Sequence, residues 1–600
     1  MVDAAAKVVC EVSWEVCNKV GGIYTVVASK ALEMTKRYPG ERYFLIGPYF
    51  PAKALGVFEE TVPPEHCKEC FDDLKKEGIE VHTGIWLVKG NPRVMLIDFS
   101  GFIKNKDAIK RKLWETYGID SLNTDYFDVD EPVIWAWAAG RVLEELQHVW
   151  KDGMVAHFHE WLAGAGLLYL HKNKIPVKTV FTTHATTVGR ALASAEVNIY
   201  QLLDKLNGDE EARKRGAGTW AKHMLEKACA KNADVFTTVS EITGIEAERF
   251  LDRKPDVLLF NGLDLEKFPT FEQASVKHRL FKARMKEFLL YSFFPYYSLD
   301  LDNTLFYFLA GRYEFRDKGI DLFIKALAEL NERLKKQENS KTIVAFIWVP
   351  GNIRSIRPSL LESKTYYTDI RDSVDDLHDE IKNKLLYLLV SQKKITDESL
   401  LDPEFLAELK PKLKRFVARK GIKPALSTHE LYDEDHDAIM RTLVESGLDN
   451  APDDKVKVVF YPIYLTGADG LLDTSYYESM QGCHLGVFPS FYEPWGYTPL
   501  EAAALGVSSI TTDLAGFGRY ICTECKQGKY PGIFVLRRFG RNDAEITTEL
   551  TDMMEQYANF TMHERVENKI MAQRVAATAD WKRFADRYVE AHNKAVERVR

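Results

Sequence analysis

Short, near-continuous apolar runs alternate along this chain with longer stretches whose apolar residues recur every three to four positions. Runs at 43–47, 94–99, 154–158, 177–183 and 235–240 read as strands. A strand covered by helices on both sides has no polar face to show, so it appears as an apolar run rather than an alternation. The pattern predicts a doubly wound α/β unit over 1–265. A second strand series, at 305–311, 342–350, 455–461, 485–489 and 508–512, predicts another such unit over 266–560. Between about 358 and 450 charge becomes dense and Gly scarce, and 377–390 and 404–419 take helical spacing. Without Gly, Ser or Pro bias this is a helical insertion in the second unit rather than a linker. The charged segment 561–600 is also helical and is expected to pack back on the first unit. The fold class is therefore α/β, with two Rossmann-like domains facing a cleft, where ligands meet the carboxyl ends of the strands.

Length and charge narrow the functional classes. Six hundred residues exceed what one core usually organises, so at least two domains are expected. Eighty Lys and Arg against 88 Asp and Glu, a formal charge of −8, leave no electrostatic footprint for nucleic acid. No apolar run approaches the roughly 20 residues of a membrane-crossing helix. Met1-Val2-Asp3 opens without the basic region and apolar core of a signal peptide, so the cytoplasm is the expected compartment. Eight cysteines do not make a disulfide framework in a chain this long. Cys67/Cys70 and Cys522/Cys525 have CxxC spacing, which fits a split zinc site, a redox pair or reduced thiols. No glycine knuckle or added His pattern surrounds them, which favours reduced thiols.

Several strand ends carry chemistry. Phe488-Pro489-Ser490-Phe491-Tyr492-Glu493-Pro494-Trp495-Gly496-Tyr497-Thr498-Pro499-Leu500-Glu501 runs from a strand through an aromatic loop into a helix expected to start near Pro499. Thr498 and Glu501 are spaced as a capping box, with Pro499 at the first helical position. A helix start beside a cleft also offers free N–H groups and a positive dipole end to a diphosphate. Glu493 and Glu501 would then accept hydrogen bonds from sugar hydroxyls. A sugar-nucleotide site and plain capping with packing both fit these residues. Arg312 and Lys318 occupy the loop after another strand, where two cations would neutralise a leaving diphosphate or simply pair with Glu314 and Asp317. In Asn18-Lys19-Val20-Gly21-Gly22, tandem glycines let the backbone approach a ligand closely. His157 and His159 point the same way from a strand, as a metal pair would, but the sequence shows no third ligand nearby. His184, ending the strand before Ala185 and followed by Arg190, is the better candidate for a reacting centre. Asp-x-Asp occurs at Asp128/Asp130, Asp300/Asp302 and Asp433/Asp435, as expected by chance among 88 acidic residues. Two cations already stand where a metal would be needed, so no metal and no cofactor are expected.

Together these strings resemble the eukaryotic-type glycogen synthases of glycosyltransferase family three, from Glu15-Val16-Cys17-Asn18-Lys19-Val20-Gly21-Gly22 to Asp580-Trp581-Lys582. The resemblance implies the GT-B fold, with an acceptor-side first domain and a nucleotide-binding second domain. It implies glucose transfer from UDP-glucose to the non-reducing 4-hydroxyl of an α-1,4-glucan such as glycogen, with retention of configuration. An idle glucan-binding scaffold on the same fold is the alternative, which retention of Arg312, Lys318, Glu493 and Glu501 disfavours; a glucan phosphorylase would need a pyridoxal-binding lysine site. By resemblance Glu493 lies beside the donor sugar and Glu501 deeper in the donor site. Arg312 and Lys318 hold the diphosphate, while Lys19, Gly21 and Gly22 close over it. His184 and Arg190 reach the glucose and its leaving oxygen, Tyr476 stacks on uracil, and Trp495, Gly496 and Thr498 add contacts. The insertion corresponds to the part through which family members form homo-tetramers, and a glycogenin-like primer protein is an expected partner.

Three departures accompany the resemblance. No Ser-rich tail follows Arg600 and no extension precedes the first strand, so the phosphorylated arms of animal and fungal members are expected to be missing. Glu272-Gln273-Ala274-Ser275 matches the family's effector contacts poorly. The arginine-rich helix that binds glucose 6-phosphate in the family is thinned to Arg565, Lys569 and Arg574, with His278, Lys282 and His484 as further members of that site. Glu564 and Glu567 interleave as expected ion-pair partners, so a salt-bridged helix and weak or absent activation are expected.

Overall fold

The computed structural model describes residues 2–150, 153–524, 528 and 530–598. A nine-stranded sheet organises the first half, in the order Phe58–Glu60, Glu80–Trp86, Arg93–Asp98, Tyr43–Pro48, Val8–Val12, Met154–His159, Lys178–Thr183, Val235–Thr238, Val257–Leu258. Its pairings are parallel except at the first two junctions. Val8–Val12, Tyr43–Pro48 and Met154–His159 are buried at every position, as covered central strands must be. The order reverses at Val8–Val12, which pairs with Tyr43–Pro48 on one side and Met154–His159 on the other. The second sheet has six parallel strands, Val456–Phe460, Thr342–Trp348, Thr304–Ala310, Leu485–Val487, Ser508–Thr512 and Ile533–Leu536, and reverses between the third and fourth. Loops at the two reversals, 13–21 and 160 in the first sheet, 311–319 and 488–496 in the second, carry the candidate chemistry, at the crevice such sheets leave for ligands.

The helical insertion contains Pro358–Asp375, His378–Val390 and Pro403–Phe416, with a small antiparallel pair, Ile353–Ile356 and His429–Leu431, at its base. Among the described residues of His378–Val390 only Leu388 is buried, and Leu386, Tyr387, Leu389 and Val390 are exposed. The end of the chain divides between the halves. Met562–Ala577 lies on helix Tyr497–Ala504 and strands of the second sheet, whereas Trp581–Glu597 crosses to helix Gly22–Arg37 and strands of the first. Trp581 donates its indole N–H to Ser29 Oγ at 2.8 Å. One apolar core runs continuously through both halves here, from Val9 and Val155 through Trp581 and Phe584 to Trp495 and Phe517.

Candidate active site

The second sheet supplies a charged wall. Phe491 and Tyr492 donate their backbone N–H groups to the Asp317 carbonyl, tying loop 488–496 to loop 311–319. Gly319, at φ 69°, passes so close to Pro489 that a Cβ would sit 2.1 Å from its carbonyl oxygen. This contact sets Lys318 Nζ 2.5 Å from Glu493 Oε2, with Glu314 3.9 Å away. Arg312 pairs with Glu314 at 2.8 Å, and its side chain is 75% exposed. Lys318, Glu493, Gly496, Thr498 and Pro499 line one small cavity.

Helix Tyr497–Ala504 does not begin as a capping box. Its N-cap is Gly496, at φ 105° and without a side-chain cap, so Thr498 and Glu501 lie inside the helix. The left-handed turn that Gly496 permits starts the helix early. Glu501 instead accepts a hydrogen bond from Tyr477 Oη at 2.8 Å. Burial pushes its carboxyl up to about 7, against that hydrogen bond. Tyr476 opens the neighbouring helix Tyr476–Gly482, where burial and then the Glu501 charge raise its hydroxyl pKa. Trp495, expected among the substrate contacts, has its side chain sealed among Phe260, Phe517, Tyr520 and Phe584.

The first sheet supplies a wall of buried groups. At Asn18-Lys19-Val20-Gly21-Gly22 the chain is exposed from Lys19 to Gly22, but the start of helix Gly22–Arg37 is already occupied. Glu15 Oε2 accepts from Gly21 N at 2.7 Å and Tyr24 N at 2.9 Å, so a protein carboxylate stands where a phosphate oxygen would bind. Residues 184–187 hang on three further carboxylates. Glu160, held at φ 65°, accepts from His184 N and Ala185 N; Glu226 accepts from Thr187 N; Glu246 accepts from Thr186 Oγ1. Glu246 also takes Tyr492 Oη from the opposite wall, at 3.3 Å. Burial pushes Glu246 up to about 7, and burial followed by Glu160 pushes Glu226 up to about 8. Desolvation pulls the Arg190 pKa down, but Glu160, Tyr492, Glu226 and Glu314 outweigh it and keep the guanidinium charged. Glu314 belongs to the second wall, and its charge acts on Arg190 across the cleft, while His184 follows strand Lys178–Thr183 on the first wall.

Sequence reasoning missed Glu15, Glu160, Glu226 and Glu246 as site-builders. Glu160, Glu226 and Glu246 carry no local mark, since they accept hydrogen bonds from segments distant in sequence, whereas Glu15 accepts from the nearby Gly21 and Tyr24. It also missed a third group beside the histidine pair. Glu11, His157 and His159 bring ligand atoms within 4.8 Å of one another, but Lys30 Nζ stands 2.7 Å from Glu11 and supplies the positive charge there. Cys67 and Cys70 are held as thiols: burial raises Cys67 to about 11 and also raises Cys70, which disfavours thiolates. Cys522 is exposed, and Cys525 lies outside the described residues.

A second cluster lies around helix Met562–Ala577, which packs on helix Tyr497–Ala504. His278 and His484 pack edge to face at 5.2 Å, and His278 feels Lys569, Lys282 and Arg565. Burial, then Lys282 and Arg565, pulls Lys569 down to about 7. The expected salt-bridged helix is not what forms. Glu564 closes a capping box with Thr561 and receives Tyr530 Oη, which turns it to the helix start. Arg565 and Lys569 have no carboxylate partner among the described residues. Arg574 is exposed and is not among the groups acting on Lys569.

Comparison with known proteins completes the picture. The family model described as glycogen synthase matches residues 11–600. The chain is 36% identical over 590 residues to the liver glycogen [starch] synthase of Rattus norvegicus, covering 98% of this chain and 83% of that protein. It is 36% identical over 620 residues to glycogen [starch] synthase isoform 2 of Saccharomyces cerevisiae, covering 98% and 86%. Among solved structures, the catalytic domain of starch synthase IV from Arabidopsis thaliana, bound to ADP and acarbose, superposes with a TM-score of 0.52. It is 14% identical, with 98% of this chain and 99% of that one covered, a likeness of GT-B fold.

Proposed function

Because the chain belongs to the glycogen synthase family and is a glucosyltransferase of GT-B fold, we propose that its donor is UDP-glucose. Glucose passes to the non-reducing 4-hydroxyl of an α-1,4-glucan with retention. The observation that supports this is the Lys318–Glu493 pair at the reversal point of the second sheet, beside Glu314, whose charge reaches Arg190 on the first wall.

Lys318 and Arg312 neutralise the leaving diphosphate, Arg312 through its planar fork and Lys318 as a point charge. Lys19, Gly21 and Gly22 close over it once the Gly21 N–H is released from Glu15. Tyr476 stacks on uracil, Glu501 binds deeper in the donor site, and Gly496 and Thr498 contribute from the helix start. Glu493 lies beside the donor sugar, and His184 and Arg190 reach the glucose and its leaving oxygen. With no carboxylate assigned as nucleophile, attack comes from the front face and the departing diphosphate helps remove the acceptor proton. The protein's share is orientation and charge stabilisation. No metal or cofactor enters, since the two cations supply the charge. A homo-tetramer assembled through the insertion, a glycogenin-like primer and a cytoplasmic location belong to the same proposal; the exposed Leu386, Leu389 and Val390 support the first.

Incubation with radiolabelled UDP-glucose and glycogen tests the proposal. Incorporation without added pyridoxal phosphate or inorganic phosphate is expected. Glycogen binding with no incorporation would leave a scaffold, and incorporation only from glucose 1-phosphate would leave a phosphorylase.

A further inference from the structure

His184 is the outer end of a buried chain of polar groups. Its Nε2 lies 3.0 Å from His159 Nδ1, and His159 Nε2 lies 3.3 Å from Glu11 Oε2. Glu11 Oε2 lies 2.7 Å from Lys30 Nζ, and both side chains of that pair are fully buried. Lys30 in turn sits 4.0 Å over the ring of Tyr588, on the last helix. Strand Val8–Val12, helix Gly22–Arg37, strand Met154–His159 and helix Trp581–Glu597 thus each contribute one group to a line that ends at the cleft.

We propose that Lys30, Glu11 and His159 are positioning residues that hold His184 in a single tautomer, with Nδ1 as a bare acceptor for a hydroxyl of the donor sugar. This rests on the placement of His184 beside the donor proposed above.

Proton counting gives the direction. Burial works against the charged form of Glu11, but Lys30 and then His157 outweigh it and keep the carboxylate ionised. An ionised carboxylate only accepts, so His159 Nε2 carries the proton and donates. A neutral imidazole has one N–H, which leaves His159 Nδ1 as an acceptor. His184 Nε2 must then donate to it, and the lone pair of His184 falls on Nδ1. Both rings stay neutral. Burial and then Lys30 hold His159 well below its usual pKa, with His184 and His592 adding to the effect. Burial, Lys30 and Arg190 bring His184 to about 3, against an opposing pull from Glu11. Nδ1 of His184 has no protein hydrogen-bond partner among the described residues, and it is not sealed from solvent.

The alternative is a polar core that merely satisfies itself. A buried ion pair is a poor device for that, because its desolvation penalty can exceed its attraction and an apolar replacement often costs nothing. What an ion pair at the inner end adds is direction, since a carboxylate fixed as ionised cannot donate back. The same direction sets selectivity at the outer end: a bare Nδ1 welcomes a sugar hydroxyl and repels a carboxylate or carbonyl oxygen.

The test is nitrogen NMR on protein labelled with ¹⁵N-histidine, with the His184 signal assigned by its loss in His184→Gln. In the wild-type protein near neutral pH, His184 should carry its proton on Nε2 with Nδ1 bare. Glu11→Gln presents a carboxamide that can donate or accept, so His184 should become a mixture of tautomers. Its kcat should fall about 10–100-fold, the range seen when an imidazole ligand loses its orienting partner, while UDP affinity stays unchanged. Glu11→Asp, which keeps the acceptor, should recover the single tautomer and most of the turnover. A wild-type His184 protonated on Nδ1 would overturn the proposal, as would Glu11→Gln with the wild-type tautomer and kcat. The wild-type spectrum decides by itself should Glu11→Gln not fold. Absence of any glucose transfer by the wild-type protein would instead remove the functional proposal and leave the tautomer assignment standing.

Discussion

The two walls of the cleft are built on opposite principles. On the second-sheet wall the charges are near solvent and pair with each other: Arg312 with Glu314, and Lys318 with Glu493. Exchanging partners costs little at exposed Arg312, where an ion pair contributes at most about 1 kcal/mol, and Lys318 and Glu493 keep part of their side chains in solvent. The diphosphate of the proposed donor would take over both cations. On the first-sheet wall His184 is fixed from behind by His159, and the turn that carries it hangs on Glu160, Glu226 and Glu246. Rearranging buried, hydrogen-bonded carboxylates costs several kcal/mol. One wall is adaptable and receives charge; the other is rigid and fixes the direction of approach.

The contrast breaks first at the reacting centre. Glu493→Ala and Glu501→Gln should each lower kcat at least about 100-fold, as expected for a lost transition-state contact. Near-wild-type turnover by folded Glu493→Ala would remove that carboxylate from the donor sugar. Lys318→Ala should weaken UDP binding about tenfold or more, on the scale of about 1.5–3 kcal/mol for a charged hydrogen bond, with Arg312→Ala having the smaller effect. Neither should change glycogen binding; calorimetry showing equal loss of both ligands would make these cations structural.

The rigid wall should show itself through pH. Glu246 has a folded pKa of about 7 against an ordinary value of 4.5. The stabilising effect of its raised pKa is fully present below 4.5 and is lost as pH rises through about 7. Across that window the wild type should lose on the order of 3 kcal/mol more than Glu246→Gln. Parallel Tm-versus-pH curves for the two proteins would mean that Glu246 is already ionised in the fold. The smallest expected effect is regulatory. Lys282, Arg565 and Lys569 repel one another, with Asp302 offsetting part of this at Lys282, so a sugar phosphate would relieve the remaining cost. Three cations should still support less than about a tenfold rise in kcat/KM with glucose 6-phosphate, and Arg565→Ala should abolish whatever rise occurs. A larger, Arg565-dependent rise in the titration would show that the thinned helix suffices.

Most central strands were legible in the sequence as apolar runs, because strands covered on both faces show no polar side, as in 43–47 and 343–348; the outer strands Phe58–Glu60, Val257–Leu258 and Ile533–Leu536 were not read. The residues of the adaptable wall were legible too, since Arg312, Lys318 and Glu493 follow central strands within a few positions. Local pattern misjudged the start of helix Tyr497–Ala504, where Thr498 and Glu501 have capping spacing but a left-handed Gly496 begins the helix sooner. It also misjudged Glu564, which turns to Thr561 instead of pairing along its helix. On the rigid wall it found His184, Arg190 and the His157/His159 pair, but not the groups that fix them. Glu11 acquires its meaning from Lys30 and His159, and the Lys30 ammonium rests on Tyr588 near the other end of the chain. Burial and proton direction are properties of everything that surrounds a group, so only the packing of four distant segments decided them.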